Sequence, residues 1–290
     1  MAALTKPGDA GSAGSEVVAC FGEGMTGGMN MKVIIDTEKR TLCVENGTGE
    51  TKAIDLFSKD ALEILSEAWI KVEWSQRHWQ SLSWLGVQIL QLPEDLIRMQ
   101  EVLFRLKPDL IIETGLFAGG SAIFFASMCR LVGNGRVVSI DKSIPEGIRR
   151  TVQSHPLGNS ITLIEDSSTD DRVVDDVRKI VDQLAPGATV MVFLDSHHSR
   201  DHVLKELQLY SDFVSVESYI VAADGVLEIL YDTPEGISKW INDNPARAAL
   251  DFVAANSKFV IERPPALFND HAVVESLTYW PNAWIKRVTD

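Results

Sequence analysis

Short apolar runs alternate with segments of helical periodicity from Asp109 to Asp224, and this alternation constrains the fold more than any other feature. Strands that are buried on both faces are continuous apolar runs, and the helices between parallel strands cover the two faces of the sheet. The pattern therefore predicts an α/β protein with a doubly wound, Rossmann-like sheet of seven strands. The predicted strands are 110–112, 137–140, 161–164, 190–194 and 219–222, completed by edge strands at 259–261 and 284–288. The predicted helices between them are 121–131, 146–154, 171–184 and 200–210.

The rest of the chain divides into an N-terminal tail and a second segment before the main domain, which is predicted to span 107–290. Seven of the 20 glycines fall in residues 1–30. Such a segment buries too little apolar surface to offset its ordering entropy, so a flexible tail is predicted. Residues 31–106 are predicted to form an N-terminal hairpin and a helical extension. The hairpin strands are 31–36 and 41–45, and the helices are 59–79 and 93–106.

Composition limits the partners that this chain can have. It contains 27 Lys and Arg against 41 Asp and Glu, a formal net charge of −14, which disfavours nucleic acid or an anionic membrane surface as a partner. The three cysteines are too few and too scattered for a disulfide framework, and no apolar run reaches the roughly 18 residues of a membrane span. No secretory signal is visible, so a cytoplasmic location is expected. The negative charge favours a small neutral or cationic ligand.

Acidic residues follow all five predicted parallel strands. In an open parallel sheet, ligands bind beyond the carboxyl ends of the strands. One acid at such a position is usually a solvated cap or a helix N-cap, but packing does not require five in succession. The pattern indicates a ligand site formed by Glu113, Asp141, Asp166, Asp195 and Asp224.

The loop after the first of these strands, 113–121, contains small residues that let a ligand approach the backbone closely. Its G-x-x-x-G-G spacing differs from the G-x-G-x-x-G of dinucleotide sites, and a carboxylate at its start would repel a pyrophosphate. S-adenosylmethionine carries cationic groups and no phosphate, so it fits the loop better. Asp141 is then expected to accept the ribose hydroxyls, and Asp166 with Ser167 to face the adenine amino group.

A histidine-rich turn, 194–202, follows the fourth predicted strand and holds three of the six histidines. Imidazole titrates near neutrality, so His198 is a candidate general base, with Asp195 as a candidate metal ligand. A zinc site is less favoured, because no zinc spacing motif is present. In a purely structural interpretation, the segment is a polar turn in which Ser199 or Asp201 caps the next helix.

Seven motifs of the chain carry a family resemblance. They are Trp84-Leu-Gly86, Gln91-Leu-Pro-Glu-Asp95, Lys107-Pro-Asp-Leu-Ile-Ile-Glu-Thr-Gly115, Gly119-Gly-Ser121, Leu194-Asp-Ser-His-His198, His202-Val-Leu-Lys-Glu-Leu207 and Tyr279-Trp-Pro-Asn-Ala-Trp-Ile-Lys-Arg-Val288. As a set they resemble the cephalosporin hydroxylase family, from about residue 59 to the C-terminus. That family has a class I S-adenosylmethionine methyltransferase fold, and its members and relatives include O-methyltransferases of sugars and natural products.

The resemblance implies S-adenosylmethionine as the cofactor and assigns roles to individual residues. The implied cofactor-binding residues are Glu113, Gly115, Gly119, Ser121, Asp141, Asp166, Ser167 and Asp195. The resemblance further implies that Asp195 and His198 are catalytic, with His198 as the base, and that Asp195 and Asp224 are magnesium ligands. Metal-dependent relatives have a Glu-Asp pair where this chain has Ala223-Asp224, so magnesium is expected to bind weakly.

The expected function is methylation of a hydroxyl on a small polar natural product, with a sugar moiety as the acceptor. Ala223 keeps N-methylation of an amino sugar open, because an amine needs only to be neutral whereas a hydroxyl gains from a metal. The resemblance is also compatible with an oxygenase component or a non-catalytic partner subunit in antibiotic biosynthesis. A small-molecule acceptor is the expected partner, and the resemblance implies a homo-oligomer. The shape of the acceptor site is expected to depend on 79–91, 227–244 and 268–280.

Overall fold

A computed structural model describes residues 16–21, 31–45, 49–268 and 277–290. The chain divides into two compact units, 1–68 and 69–290. Most of the tail predicted at 1–30 lies outside the described residues. Within it, Glu16–Phe21 forms a strand that the sequence analysis did not predict. No helix in the described part of the chain is long and apolar enough to span a bilayer.

The first unit contains a four-stranded antiparallel sheet. The strands of this sheet pair in chain order and are β1 (Glu16–Phe21), β2 (Met31–Asp36), β3 (Thr41–Glu45) and β4 (Thr51–Asp55). The first unit also contains the first part of α1 (Lys59–Ser75). The predicted hairpin corresponds to β2 and β3. Val33, Leu42 and Ala61 form a small buried apolar cluster. The sequence analysis missed β4 because this strand is mostly exposed and has no apolar run.

The second unit contains the elements that build the site. They are β5 (Ser83–Trp84), β6 (Val87–Gln88), α2 (Pro93–Leu106), β7 (Leu110–Thr114), α3 (Gly120–Val132), β8 (Arg136–Asp141), α4 (Glu146–Ser154), β9 (Ile161–Glu165), α5 (Asp171–Val181), β10 (Val190–Leu194), α6 (Arg200–Tyr210), β11 (Tyr219–Ala222), α7 (Leu227–Leu230), α8 (Pro245–Ala255), β12 (Phe259–Ile261) and β13 (Trp284–Arg287). The helix predicted at 59–79 is shorter than expected. It ends at Ser75, and Arg77, with a left-handed φ of 54°, begins a 3₁₀ turn at His78–Ser81.

Seven strands form one sheet in the order β12-β13-β11-β10-β7-β8-β9. The pairings from β11 through β10, β7 and β8 to β9 are parallel, whereas β13 is antiparallel to both of its neighbours. The predicted doubly wound sheet of seven strands is confirmed. One placement was wrong: β12 is an edge strand as expected, but β13 lies between β11 and β12, because the chain passes the edge and returns before it ends.

The two faces of the sheet are both buried. Met191 and Phe193 of β10 belong to one apolar cluster, and Val190, Val192 and Leu194 belong to the other. Successive residues of a strand point to opposite faces, so burial on both faces requires every residue of β10 to be apolar. This requirement explains the continuous apolar runs in the sequence.

The strand order reverses at β7, because β8 pairs with one side of it and β10, which comes much later in the chain, pairs with the other. A crevice forms at such a reversal, since the two following loops leave in different directions. Leu194 of β10 lies beside Thr114 of β7 in the register, so both strands end at the same level. The loops that begin at Gly115 and Asp195 therefore start side by side.

Candidate active site

A cavity of about 550 Å³ lies where β7, β10 and β11 end, a volume that suits a small-molecule ligand. The loop after β7 contributes Gly115, Leu116, Phe117 and Ala118, and the start of α3 contributes Gly120 and Ser121. The turn after β10 contributes Asp195, Ser196, His197, His198 and Ser199, and Asp224 follows β11. Of the sequence-predicted site residues, the cavity brings together Gly115, Ser121, Asp195, His198 and Asp224.

Gly115 is the point at which the loop after β7 touches the turn after β10. Its φ is +91°, and a Cβ built on it would lie 1.9 Å from the backbone oxygen of Asp195. Only glycine fits this position, because any side chain would overlap the backbone of the neighbouring turn. Gly119 also has a positive φ, +90°, and precedes α3, but unlike Ser121 it does not line the cavity.

Replacing Gly115 by alanine should destabilise the protein by about 2–4 kcal/mol, because the new methyl group overlaps the backbone oxygen of Asp195 and the residue keeps a strained φ. Urea unfolding followed by circular dichroism measures the change. The matched control is Gly133→Ala, since Gly133 has a φ of +79° but a Cβ added there would meet nothing within 4 Å. This control should cost only about 1–2 kcal/mol of backbone strain. Equal losses in the two variants would contradict the close contact at Gly115.

Asp141, at the end of β8, holds the loop after β7. Its Oδ2 accepts hydrogen bonds from the backbone N–H groups of Leu116 and Phe117, both at 3.0 Å. Its Oδ1 accepts a hydrogen bond from the Ser143 N–H at 3.1 Å. The carboxylate does not line the cavity, so its contact with a ribose stays a prediction.

Glu113 is fully buried on β7 and does not line the cavity. Burial raises the pKa of Glu113 to about 7, and hydrogen bonds from the hydroxyls of Ser121 and Ser139 oppose this shift. Its Oε1 is sealed from solvent and has no hydrogen-bond partner among the described residues. Of the two serines, Ser121 lines the cavity.

Asp166 and Ser167, the predicted adenine-side residues, lie outside the cavity lining. The Ser167 N–H donates to Asp166 Oδ1 at 2.8 Å, and Arg172 lies 3.3 Å from Asp166 Oδ2. The Ser167 hydroxyl lies 3.1 Å from the hydroxyl of Thr169. These contacts are local, and the role of the two residues stays a prediction.

Asp195, His198 and Asp224, which we call the Asp-His-Asp cluster, converge on one point of the cavity wall. One metal-ligating atom from each residue lies within 4.8 Å of the other two. His198 Nε2 lies 3.5 Å from Asp224 Oδ2. Asp224 has a left-handed φ of 62°, a strained conformation of the kind that is concentrated at functional sites. The strands β10 and β11 pair in parallel, so the residues that follow them meet at one edge of the sheet.

The surroundings of the Asp-His-Asp cluster disfavour ionisation of both carboxyl groups when no cation is bound. Burial raises the pKa of Asp195 well above its usual value, and the carboxylates of Asp224 and Glu113 raise it further. Burial also raises the pKa of Asp224, although His198 opposes the shift. No Lys or Arg in the described ranges forms an ion pair with either aspartate. The donor set therefore fits a divalent cation, which favours carboxylate oxygens and tolerates an imidazole.

The other two histidines of the turn have different surroundings. His197 lines the cavity, and its Nδ1 lies 2.9 Å from the Ser199 hydroxyl. His202 does not line the cavity. Its Nε2 lies 3.1 Å from the Ser196 hydroxyl oxygen, and that hydroxyl donates its hydrogen to the buried Glu206 at 2.8 Å. Of the three histidines, only His198 belongs to the Asp-His-Asp cluster.

Ala223 lies in the apolar interior. It is buried within the same apolar cluster as Val226 and Trp280 and does not line the cavity. Position 223 therefore contributes to core packing and not to the Asp-His-Asp cluster.

Aromatic residues that the sequence analysis did not assign to the site form another part of the cavity wall. The rings of Trp74 and Trp79 are stacked with centroids 5.2 Å apart, and Tyr279 packs edge-on against Trp74 at 5.6 Å. Trp240 lines the same cavity, together with Lys239. All three segments expected to shape the acceptor site, 79–91, 227–244 and 268–280, contribute lining residues. Trp74, Trp79 and Trp240 belong to none of the seven motifs, so motif spacing could not identify them.

Comparison with known proteins places the chain in a family. The model of the family described as Rhamnosyl O-methyltransferase/CmcI matches residues 76–288. A rhamnosyl O-methyltransferase of Mycobacterium bovis (strain BCG / Pasteur 1173P2) is 29% identical over 173 residues, which cover 59% of this chain and 68% of the relative. One from Mycobacterium leprae (strain TN) is 31% identical over 150 residues, covering 51% and 62%.

Among solved structures, an apo structure of CmcI has a TM-score of 0.48 at 16% identity, covering 73% of this chain and 78% of that one. A CmcI structure with Mg and SAM has a TM-score of 0.46 at 16% identity, covering 72% and 78%. The family model covers most of the chain, including the loop after β7 and the Asp-His-Asp cluster. The protein belongs to the rhamnosyl O-methyltransferase/CmcI family.

Proposed function

We propose that the protein transfers the methyl group of S-adenosylmethionine to a hydroxyl of a small polar natural product, on a sugar moiety. The observation that carries this proposal is the convergence of the Asp-His-Asp cluster on the same cavity as the glycine-containing loop after β7. A cofactor loop and a set of proton-accepting groups must face one space for methyl transfer to a hydroxyl, because the reaction joins two held reactants. Membership of a family named for rhamnosyl O-methyltransferases supports a sugar acceptor.

Bound S-adenosylmethionine supplies an electrophilic methyl group on a sulfonium cation. We assign its binding to the loop after β7 and the start of α3, where Gly115, Gly120 and Ser121 line the cavity. Glu113, Gly119, Asp141, Asp166 and Ser167 would support this side of the site from outside the cavity lining. Asp195 borders both this loop and the Asp-His-Asp cluster, so it belongs to both halves of the site.

His198 is the proposed base. Its ring lines the cavity, and Asp224 lies 3.5 Å from Nε2, where a carboxylate stabilises the imidazolium that forms when the ring takes a proton. Asp195 and Asp224 are the proposed ligands of a divalent cation, which would polarise the acceptor hydroxyl and lower its pKa. The stacked Trp74 and Trp79 present an apolar surface that suits the C–H face of a sugar ring.

Methylation of an amine is the second candidate, and Ala223 is the observation that favours it. With Ala223 packed in the core, the Asp-His-Asp cluster has two carboxylates and one imidazole. The imidazole can act as a base without a metal. A neutral amine is already nucleophilic, whereas a hydroxyl gains from a cation. Dependence of turnover on added magnesium separates the two candidates.

Incubation with isotopically methyl-labelled S-adenosylmethionine and a panel of sugar and amino-sugar acceptors tests the proposal directly. Mass spectrometry of the products should show one labelled methyl group on a sugar oxygen. Label on nitrogen would replace the first candidate by the second. Failure of the cofactor to bind in calorimetry would overturn both candidates.

Replacing Asp141 by alanine should weaken cofactor binding by about 1–3 kcal/mol, because the ribose hydroxyls lose their acceptor and the Leu116 and Phe117 N–H groups lose theirs. Isothermal calorimetry with S-adenosylhomocysteine measures the change. The matched control is Glu165→Ala, because Glu165 ends the neighbouring strand, lies opposite Asp141 in the register and accepts a hydrogen bond from Ile144 N–H. Unchanged affinity in Asp141→Ala would remove this residue from the cofactor site.

The cellular location and the assembly state stay predictions. We propose that the protein is a homo-oligomer, as the family resemblance implies. Light scattering of the purified full chain tests this proposal.

A further inference from the structure

Gln91 is a buried glutamine on the wall of the candidate active site. It lies immediately before Leu92 and Pro93, where α2 begins, and only 3% of its surface is exposed. It also lines the cavity. A buried amide is costly unless both of its ends are hydrogen-bonded, so its partners indicate why it is placed there.

The amide of Gln91 connects a tryptophan to an aspartate of the Asp-His-Asp cluster. Trp280 Nε1 donates to Gln91 Oε1 at 3.1 Å, and Gln91 Nε2 donates to Asp195 Oδ2 at 2.7 Å. An indole N–H can only donate, so it fixes the amide oxygen on the Trp280 side. The amide nitrogen must then face Asp195, and Gln91 always presents a donor to that carboxylate.

This hydrogen bond holds one carboxylate oxygen of Asp195 and leaves the other oxygen available to a ligand. Oδ1 of Asp195 has no hydrogen-bond partner within the described residues, whereas Oδ2 is held by Gln91. A carboxylate held at one oxygen cannot rotate freely about its terminal bond. A residue that does not touch the metal but hydrogen-bonds to a metal ligand orients that ligand and affects the metal affinity.

We propose that Gln91 is a positioning residue, which fixes the Asp195 carboxylate for a divalent cation at the Asp-His-Asp cluster. This inference rests on the proposed function, and it extends it to a residue from a different part of the chain. Gln91 acts through Asp195, which is 104 positions away in the sequence. The Gln91 amide is in turn oriented by Trp280, which is 189 positions away. A purely structural role would leave the metal affinity of the folded protein unchanged.

The test is a Mn²⁺ titration of the full chain, in which electron paramagnetic resonance measures the free ion. Mn²⁺ favours oxygen ligands as magnesium does, and it is directly observable. Gln91→Met keeps the length of the side chain and removes both hydrogen bonds, so it should weaken Mn²⁺ binding by about 10–100-fold. The matched control is Gln88→Met. Gln88 lines the same cavity, but its amide donates to the Gln80 backbone oxygen, and Mn²⁺ affinity should not change.

Mn²⁺ affinity in folded Gln91→Met equal to that of the wild type would overturn the proposal, and so would a wild-type chain that binds no Mn²⁺. If Gln91→Met does not fold, Gln91→Asn decides the question. That variant keeps an amide but is too short to reach Trp280 and Asp195 together, so its Mn²⁺ affinity should also fall. A methyl-transfer assay runs in parallel. Gln91-dependent metal binding without methyl transfer would contradict the proposed function and leave the role of Gln91 standing.

Discussion

Turnover in a His198→Ala variant should fall by about 100-fold or more, while cofactor affinity stays at the wild-type value. His198 is the imidazole of the cluster, and a third of its side chain is exposed, so a proton that it takes from the acceptor can pass to solvent. The cofactor loop comes from β7 and α3, so removing the imidazole should not disturb it. Single-turnover kinetics give the rate of methyl transfer, and calorimetry with S-adenosylhomocysteine gives the affinity.

His197→Ala is the matched control for this prediction. The two imidazoles are adjacent in the chain and line the same cavity, but His197 contacts Ser199 and lies outside the Asp-His-Asp cluster. Turnover in His197→Ala should therefore fall much less than in His198→Ala. Full activity in His198→Ala, or equal losses in the two variants, would assign proton transfer to another group.

Replacing Asp195 by asparagine should reduce turnover by about 100-fold or more, because a cation that polarises the acceptor contributes several kcal/mol to the transition state. Asparagine keeps the size of the side chain but cannot provide the anionic ligand. Asparagine is also uncharged, and burial already disfavours the ionised form of Asp195 by raising its pKa, so the fold should persist. Activity over a range of magnesium concentrations and a thermal melt measure the two effects.

Chelation of the wild-type enzyme should reproduce the loss seen in Asp195→Asn, and added magnesium should reverse it. The control is Asp243→Asn, because Asp243 lines the same cavity but accepts a hydrogen bond from Arg200 N–H, which an asparagine oxygen also accepts. If activity survives exhaustive chelation while Asp195→Asn is inactive, then Asp195 orients the acceptor or the base. That result would contradict the metal site and would favour an amine acceptor.

Ala223→Glu is not a clean way to restore the missing carboxylate. Ala223 is packed among apolar side chains, so a glutamate there would bury a charge in the core rather than extend the Asp-His-Asp cluster. The sequence indicated a lost ligand at this position. The structure places the imidazole of His198 beside the two carboxylates, which spacing to Asp195 alone could not establish.

Local periodicity predicted the alternation of strands and helices from β7 to β11. Each of the five parallel strands was identified from its apolar run, because most of its residues pack into an apolar cluster on one face of the sheet or the other. The same logic placed Asp195 and Asp224 together, since residues that follow neighbouring parallel strands emerge at one edge. The position of β13 between β11 and β12 was not predictable in this way, because short apolar segments do not encode their order in a sheet.

Long-range contacts decided the rest of the site. Asp141 was expected to face a ribose. In the structure its carboxylate accepts hydrogen bonds from the backbone N–H groups of the loop after β7, and these depend on the path of that loop. Gln91 meets Asp195 and Trp280 only when three distant segments pack together. A sequence pattern reports which residues are buried and at what period, so it determined the fold and the acids at the strand ends. Which side chains meet across the cavity depends on how the chain closes in space, and only the tertiary structure decided that.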